Sequence, residues 1–132
     1  MFEKKVKQPP IRSLIAHGSE IHGSLKFTDG LRIDGAVCGD VLAVTERPSI
    51  LVISETASVT GEIHADHVIV NGRVTGPVHA ATLLEVQPKA RIEGDVYYTG
   101  LEMHLGALIH GRLFAQLASE EKPTLKLAAN NV

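Results

Sequence analysis

The sequence predicts an all-β protein: a right-handed parallel β-helix, or solenoid, of about six coils. Three observations carry this prediction. A five-residue phrase recurs along the chain, apolar and polar residues alternate over long stretches, and residues 19–115 show no helical periodicity. A unit that recurs every 15 to 22 residues buries its apolar face only against neighbouring copies, as the coils of a solenoid do.

The recurring phrase is an aliphatic residue, any residue, glycine, any residue and a second aliphatic residue. Its six separate copies occupy residues 21–25, 33–37, 59–63, 74–78, 92–96 and 109–113, and a seventh occupies 37–41. Because glycine has no side chain, it lets the backbone bend tightly and lets adjacent coils approach closely. A coil of about 17 residues has room for three short strands and three bends, which gives a roughly triangular cross-section.

Apolar residues occupy every second position in the stretches 57–65, 68–80 and 101–115. This period of two is typical of strands, with one set of side chains inside and the other outside. In the last stretch the odd-numbered positions are predicted to point inward, Leu105 and Leu113 among them. β-Branched residues beside the glycines are expected to fill the walls and stack from coil to coil.

Two other all-β folds fit parts of the pattern. A left-handed β-helix of hexapeptide repeats requires an aliphatic residue at every sixth position, and no such register persists along this chain. A stack of hairpins would use Asn71-Gly72 as a turn. The alternation continues through that dipeptide, so a bend within a wall is predicted instead. Residues 46–49, Glu-Arg-Pro-Ser, predict a loop that bulges from the second or third coil.

Composition predicts a cytoplasmic protein and argues against several functions. The net charge of −2 supplies no basic face for nucleic acid, and Cys38 has no second cysteine for an internal disulfide. We expect no signal peptide, and no run approaches the roughly 20 apolar residues of a membrane span. No catalytic constellation or glycine-rich phosphate loop is evident. We therefore expect no enzyme activity, no cofactor and no nucleotide.

Three of the seven histidines suggest a zinc site on the outer wall, namely His64, His67 and His79. His64 and His67 lie on either side of a corner at Ala65, so their side chains are expected to point away from each other. No carboxylate partner is evident in the sequence. We therefore expect no metal site.

The chain divides into a flexible basic tail at residues 1–13, the β-helix at 14–118 and a disordered tail at 119–132. An uncapped β-helix exposes unpaired backbone groups at both end coils, and such edges recruit further strands. We expect polymerisation by end-to-end stacking, with Leu25 and Phe27 at one end and Leu105, Leu113 and Phe114 at the other. Head-to-tail and like-to-like junctions both remain open, as does a cap formed by residues 113–121.

These phrases resemble the bactofilins, a family of bacterial cytoskeletal proteins. The resemblance spans roughly residues 13–116. It is carried by Ser-Glu-Ile-His-Gly at 19–23, Leu-Arg-Ile-Asp-Gly at 31–35 and Ala-Arg-Ile-Glu-Gly-Asp-Val at 90–96. It implies a right-handed β-helix that polymerises without nucleotide and acts as a scaffold near the cytoplasmic membrane, where it organises cell shape and cell-wall enzymes.

The opening Met1-Phe2-Glu3-Lys4-Lys5 is similar to the membrane-targeting tail of many bactofilins. Phe2 would enter the lipid interface, while Lys4, Lys5 and Lys7 would attract anionic head groups at about 1 kcal/mol each. A filament presents many such tails at once, and this multivalency strengthens binding. The expected partners are further copies of the chain, the inner face of the cytoplasmic membrane, and cell-wall or morphogenesis proteins.

Two other functions compete with the scaffold hypothesis. A carbohydrate-active β-helix enzyme would need a cluster of carboxylates on one wall, whereas the outward acids here are dispersed along the sequence. A monomeric binding module would need a cap over the last coil at residues 113–121.

Overall fold

The computed structural model describes residues 8–117, which contain fifteen strands and no helix. No segment of this part of the chain therefore forms a helix able to cross a membrane. The strands are β1 (Ile11–Ile15), β2 (Glu20–His22), β3 (Leu25–Phe27), β4 (Gly30–Ile33), β5 (Ala36–Cys38), β6 (Val41–Ala43), β7 (Ile50–Ile53), β8 (Ser58–Thr60), β9 (Ile63–Val70), β10 (Arg73–Thr75), β11 (Val78–Val86), β12 (Arg91–Glu93), β13 (Val96–Met103), β14 (Leu108–His110) and β15 (Leu113–Ala115).

The strands form six coils with three walls, and every strand pairing in the described residues is parallel. Wall 1 contains β1, β4, β7 and the C-terminal halves of β9, β11 and β13. Wall 2 contains β2, β5, β8, β10, β12 and β14, and wall 3 contains β3, β6, the N-terminal halves of β9, β11 and β13, and β15. This arrangement confirms the predicted parallel β-helix of about six coils.

The core is a continuous column of aliphatic side chains, because each wall turns alternate residues inward at the same register in every coil. Burying one such side chain contributes about 1.5–3 kcal/mol. The alternation predicted for 57–65 and 68–80 is confirmed. The largest fully buried side chains are Ile33, Leu51, Ile53, Ile63, Leu84 and Ile92.

Two details differ from the sequence predictions. Leu105 is 93% exposed, because residues 104–107 form a turn between β13 and β14 and interrupt the alternation. β1 begins at Ile11 and pairs with β4, so residues 11–13 belong to the β-helix rather than to the predicted tail. The other predicted tail segments, residues 1–7 and 119–132, lie outside the described residues.

Asn71-Gly72 forms a bend between β9 and β10 rather than a hairpin turn, as predicted, but the bend lies at the corner between walls 1 and 2 and not within a wall. The predicted bulge is also present as an exposed loop at residues 45–48, in the second coil. The chain re-enters the fold at the buried Ser49, whose N–H donates to the Asp66 carboxylate (3.0 Å) while the Asp66 N–H donates to the Ser49 hydroxyl oxygen (3.0 Å). Arg47 reaches back to Asp29, with a side-chain distance of 3.3 Å.

One glycine from each coil stands at the corner between walls 2 and 3, and these glycines form a column. Gly76 has φ +142°, and a Cβ atom there would lie 2.8 Å from the carbonyl carbon of Gly61. Gly23 begins the column with φ +130°, and a Cβ there would have no atom within 4 Å because residues 8–117 place no coil beneath it. The column therefore sets how closely adjacent coils approach at this corner.

Comparing these two glycines separates steric overlap from backbone strain. We expect Gly76→Ala to lower the free energy of unfolding by about 2–5 kcal/mol, since it adds a clash to the positive-φ strain. Gly23→Ala carries the strain alone and should cost about 1–2 kcal/mol. Urea unfolding at one protein concentration, followed by far-UV circular dichroism, measures both. Equal losses in the two variants would mean that coil contact does not constrain the corner.

Candidate functional site: the two ends of the β-helix

The two end coils differ from the middle coils in what they expose. Each strand of the first coil (β1, β2 and β3) pairs on one side only within residues 8–117, and so do β14, β15 and the C-terminal half of β13 in the last coil. Every exposed large hydrophobic side chain of the described residues lies in the first coil, in the last coil or directly after it. These side chains are Ile11, Leu14, Met103, Leu105, Leu108, Leu113, Phe114 and Leu117.

At the first coil, the two residues predicted for the interface differ in how deeply they are buried. Leu25 is half-buried and packs against the first-coil end of the aliphatic core. Phe27 is only 7% exposed and belongs to the core itself. Ile11 and Leu14 are the exposed apolar residues here, and the sequence analysis missed them because they precede the first glycine phrase.

At the last coil, all three predicted residues are exposed. Leu113 faces inward in register with Val96, and it remains exposed because no further coil covers it among the described residues. Phe114 points outward beside it, and Leu105 projects from the turn before β14. Residues 113–115 continue the coil as β15, so this part of the possible cap is a strand; residues 118–121 lie outside the described range.

Phe114 ends a stack of rings on the outer face of wall 3, which we call the ring ladder. The ladder consists of His64, His79, Tyr97 and Phe114, with centroid separations of 4.1, 4.4 and 4.8 Å in that order and interplanar angles of 11° or less. Parallel pairing places these residues in register. Each lies three positions after a column glycine, and this shared offset is the sequence signal that could have revealed the ladder.

The exposed end of the ladder, at Phe114, lies beside an ion pair. The Arg112 guanidinium lies 5.5 Å from the centroid of the Phe114 ring and 3.2 Å from the Asp95 carboxylate. The Arg112 backbone N–H also donates to Asp95 (2.9 Å), and this hydrogen bond lowers the pKa of Asp95 below its ordinary value. These contacts position the Phe114 ring with one face against Tyr97 and its outer face toward the end of the β-helix.

The opposite end of the ladder, at His64, carries an acidic partner that was not predicted from the sequence. His64 Nε2 lies 2.9 Å from Glu62 Oε2, and His79 Nε2 lies 3.4 Å from the same oxygen. Burial lowers the pKa of His79 below its ordinary value, His64 lowers it further, and Glu62 acts in the opposite direction. His67 lies on wall 1, 3.4 Å from Glu85, so His64 and His67 do point apart as expected.

The fold and the apolar end coils together define a class of protein: a parallel β-solenoid whose exposed large apolar side chains, among residues 8–117, are confined to its end regions. The chain belongs to the bactofilin family, whose sequence profile, described as polymer-forming cytoskeletal, matches residues 13–113. The resemblance noted from the repeated phrases is thereby confirmed.

A solved structure supports the same assignment. The chain is similar to the cytoskeletal bactofilin BacA, whose atomic structure was determined by solid-state NMR, with 30% sequence identity and a TM-score of 0.68. The match covers 80% of this chain and 96% of that one. A search of curated proteins found no match.

The lowered pKa of His79 gives a pH dependence with a defined sign. The unfolded chain, with an ordinary histidine pKa of about 6.5, binds a proton at this position before the folded chain does, so stability is lost as pH falls below about 6.5. We expect His79→Gln to make the free energy of unfolding fall less steeply between about pH 7 and pH 5. Urea unfolding across this range tests it, with His22→Gln as the control for loss of an exposed imidazole. An unchanged slope in His79→Gln would contradict the prediction.

Proposed function

We propose that this bactofilin is a scaffold whose β-helices stack end to end into filaments without nucleotide. The family is a polymer-forming cytoskeletal one. The observation that carries the end-stacking proposal is the confinement of exposed large apolar side chains to the two end regions. The four middle coils present none among the described residues, so lateral association has no comparable apolar surface.

Approximate free energies indicate why apolar contact decides the strength of a junction between two subunits. About ten backbone hydrogen bonds across three strand edges, at about 1 kcal/mol each, supply on the order of 10 kcal/mol. Association costs an estimated 4–15 kcal/mol in translational and rotational freedom. The two terms nearly cancel, so net affinity depends on burying residues such as Leu113 and Phe114, each contributing about 1.5–3 kcal/mol when fully covered.

The ring ladder favours a junction that continues it. In a head-to-tail junction, the next residue at the ladder position is Lys26, three positions after Gly23, and its ammonium would meet the open face of Phe114 as a cation–π pair. In a like-to-like junction, two Phe114 rings would stack. An arginine at position 114 would face a positive charge in both arrangements. In the head-to-tail junction it would face Lys26 of the next subunit, and in the like-to-like junction it would face the substituted arginine of that subunit.

Phe114→Arg should therefore abolish filaments whichever way the subunits meet, while the β-rich circular dichroism spectrum is retained. The matched control is Leu42→Arg, which adds the same charge at the same ladder position in the second coil, away from both ends. Negative-stain electron microscopy and sedimentation at two concentrations, without nucleotide, provide the measurement. Filaments in Phe114→Arg, or their loss in both variants, would remove Phe114 from the junction.

We further propose that the filament lies at the inner face of the cytoplasmic membrane and organises cell-wall or morphogenesis proteins there. The support is the sequence of the N-terminal tail, in which Met1, Phe2, Lys4, Lys5 and Lys7 combine an aromatic wedge with positive charge. These residues lie outside the described part of the chain. Since β1 begins at Ile11, each subunit would contribute one tail to the filament, and many weak anchors would act together.

Vesicle co-sedimentation tests the tail. Wild-type filaments should pellet with vesicles containing anionic lipid and less so at high salt, because screening weakens the lysine contribution. A triple variant, Lys4→Ala with Lys5→Ala and Lys7→Ala, should lose this binding, whereas Phe114→Arg with an intact tail should bind weakly because it lacks multivalency. Equal pelleting of the triple variant and the wild type would exclude the basic tail as the anchor.

A further inference from the structure

The base of the ring ladder brings three metal-binding groups together on wall 3. Glu62, His64 and His79 each offer a ligand atom, and these atoms lie within 4.8 Å of one another. The two imidazole Nε2 atoms point at one carboxylate oxygen, at 2.9 and 3.4 Å. In a tetrahedral zinc site with Zn–N bonds of about 2.0–2.1 Å, neighbouring ligand atoms are about 3.3 Å apart. Each imidazole nitrogen is therefore already near coordination spacing from the carboxylate oxygen.

The fold determines this arrangement. Glu62 follows the column glycine Gly61, and His64 lies two positions further along β9, so both project from the same side of the third coil. His79 occupies the equivalent position in the fourth coil, in register with His64. The parallel pairing fixes the second imidazole directly above the first, and the rings stack with a 4.1 Å centroid separation. Three ligands thus come from two adjacent coils without any loop.

We propose that Glu62, His64 and His79 bind one late first-row divalent metal ion, with Zn²⁺ as the natural candidate. Two imidazoles and a carboxylate form a donor set that suits zinc and its neighbours, and it does not suit Mg²⁺ or Ca²⁺, which prefer all-oxygen shells. All three residues are half-buried on an outer wall, so solvent can supply the remaining ligand. The site is independent of the filament proposal, since it lies in the middle coils.

Binding requires the two stacked rings to tilt toward a shared ion, because the nitrogen lone pairs lie in the ring planes. Both rings line a cavity of about 180 Å³, which leaves space beside them for this rotation. A bound ion would join the third and fourth coils directly and add a cross-link to the backbone pairing between β9 and β11.

A second cluster provides a matched comparison. Glu85, Glu102 and His104 lie on wall 1 and also hold their ligand atoms within 4.8 Å, but they include a single imidazole and two of the three residues are exposed. Because imidazole nitrogen is the preferred donor for zinc, this cluster should bind it more weakly. His104→Asn therefore controls for non-specific binding to surface histidine and carboxylate groups.

The experiment is zinc titration calorimetry on the untagged full chain after chelator treatment, with Co²⁺ absorption spectra as a second readout of coordination. We expect one ion per chain in the wild type and in His104→Asn, with a visible Co²⁺ band typical of a four-coordinate site. His79→Asn and Glu62→Gln should each weaken binding by at least about tenfold, since losing even an outer-shell partner of a metal ligand typically costs about 10–100-fold in affinity. Circular dichroism checks that each variant is folded.

The opposite results would overturn the proposal. Wild-type affinity in folded His79→Asn would show that the ladder does not hold the ion. Loss of binding in His104→Asn would assign the ion to the wall 1 cluster, and absence of any zinc binding in the wild type would remove the site altogether. None of these outcomes depends on whether filaments form.

Discussion

Parallel in-register pairing of successive coils is the constraint on which the rest of this structure depends. Adjacent strands lie about 4.8 Å apart, so a residue at a given offset from the corner glycine is repeated directly above its counterpart. Inward positions then form one aliphatic column, corner positions form the glycine column, and outward positions on wall 3 form the ring ladder. Each column is a separate consequence of the same spacing.

The same constraint makes the two ends unlike the middle. A middle coil is covered on both sides, so its inward residues are buried and its backbone groups are paired. Leu113 occupies the position that Val96 holds one coil below, yet Val96 is fully buried and Leu113 is exposed. Within residues 8–117 the difference arises because no further coil covers Leu113, and it does not arise from the residue type. In the described part of the chain, the first and last coils of the repeat therefore expose apolar side chains and unpaired strand edges without any change in the repeated pattern.

Much of the fold was predictable from the sequence because the glycine phrase and the period of two are both local signals. They identified the coils, the three walls and the inward positions such as Val59 and Val74. Leu105 was misplaced because the turn at residues 104–107 interrupts the alternation, although Gly106, which adopts φ +101° in this turn, was a signal for it. The start of β1 was missed because Pro9-Pro10 suggested a tail, although a strand can begin directly after proline.

The site was less predictable, since its contacts join residues 15 to 18 positions apart. Glu62 and His79 are not neighbours in any local pattern, and only the register of β9 against β11 brings them together. Phe114 was identified correctly as exposed at the last coil, whereas its stacking on Tyr97 depends on that same long-range register. Phe27 could not be separated from the exposed residues, because the sequence does not reveal how far the first coil is covered.

The loop at residues 45–48 shows where this architecture tolerates insertion. The corner between walls 2 and 3 has two residues in every described coil, and the column glycines there leave almost no space for a side chain against the coil below. The corner between walls 3 and 1 accepts the loop, and the reciprocal pair of Ser49 and Asp66 returns the chain to register immediately afterwards. The corner between walls 3 and 1 can therefore lengthen or shorten over evolutionary time, or carry an engineered epitope. The corner between walls 1 and 2 already varies between two and four residues from coil to coil, and the corner between walls 2 and 3 keeps two residues in every described coil.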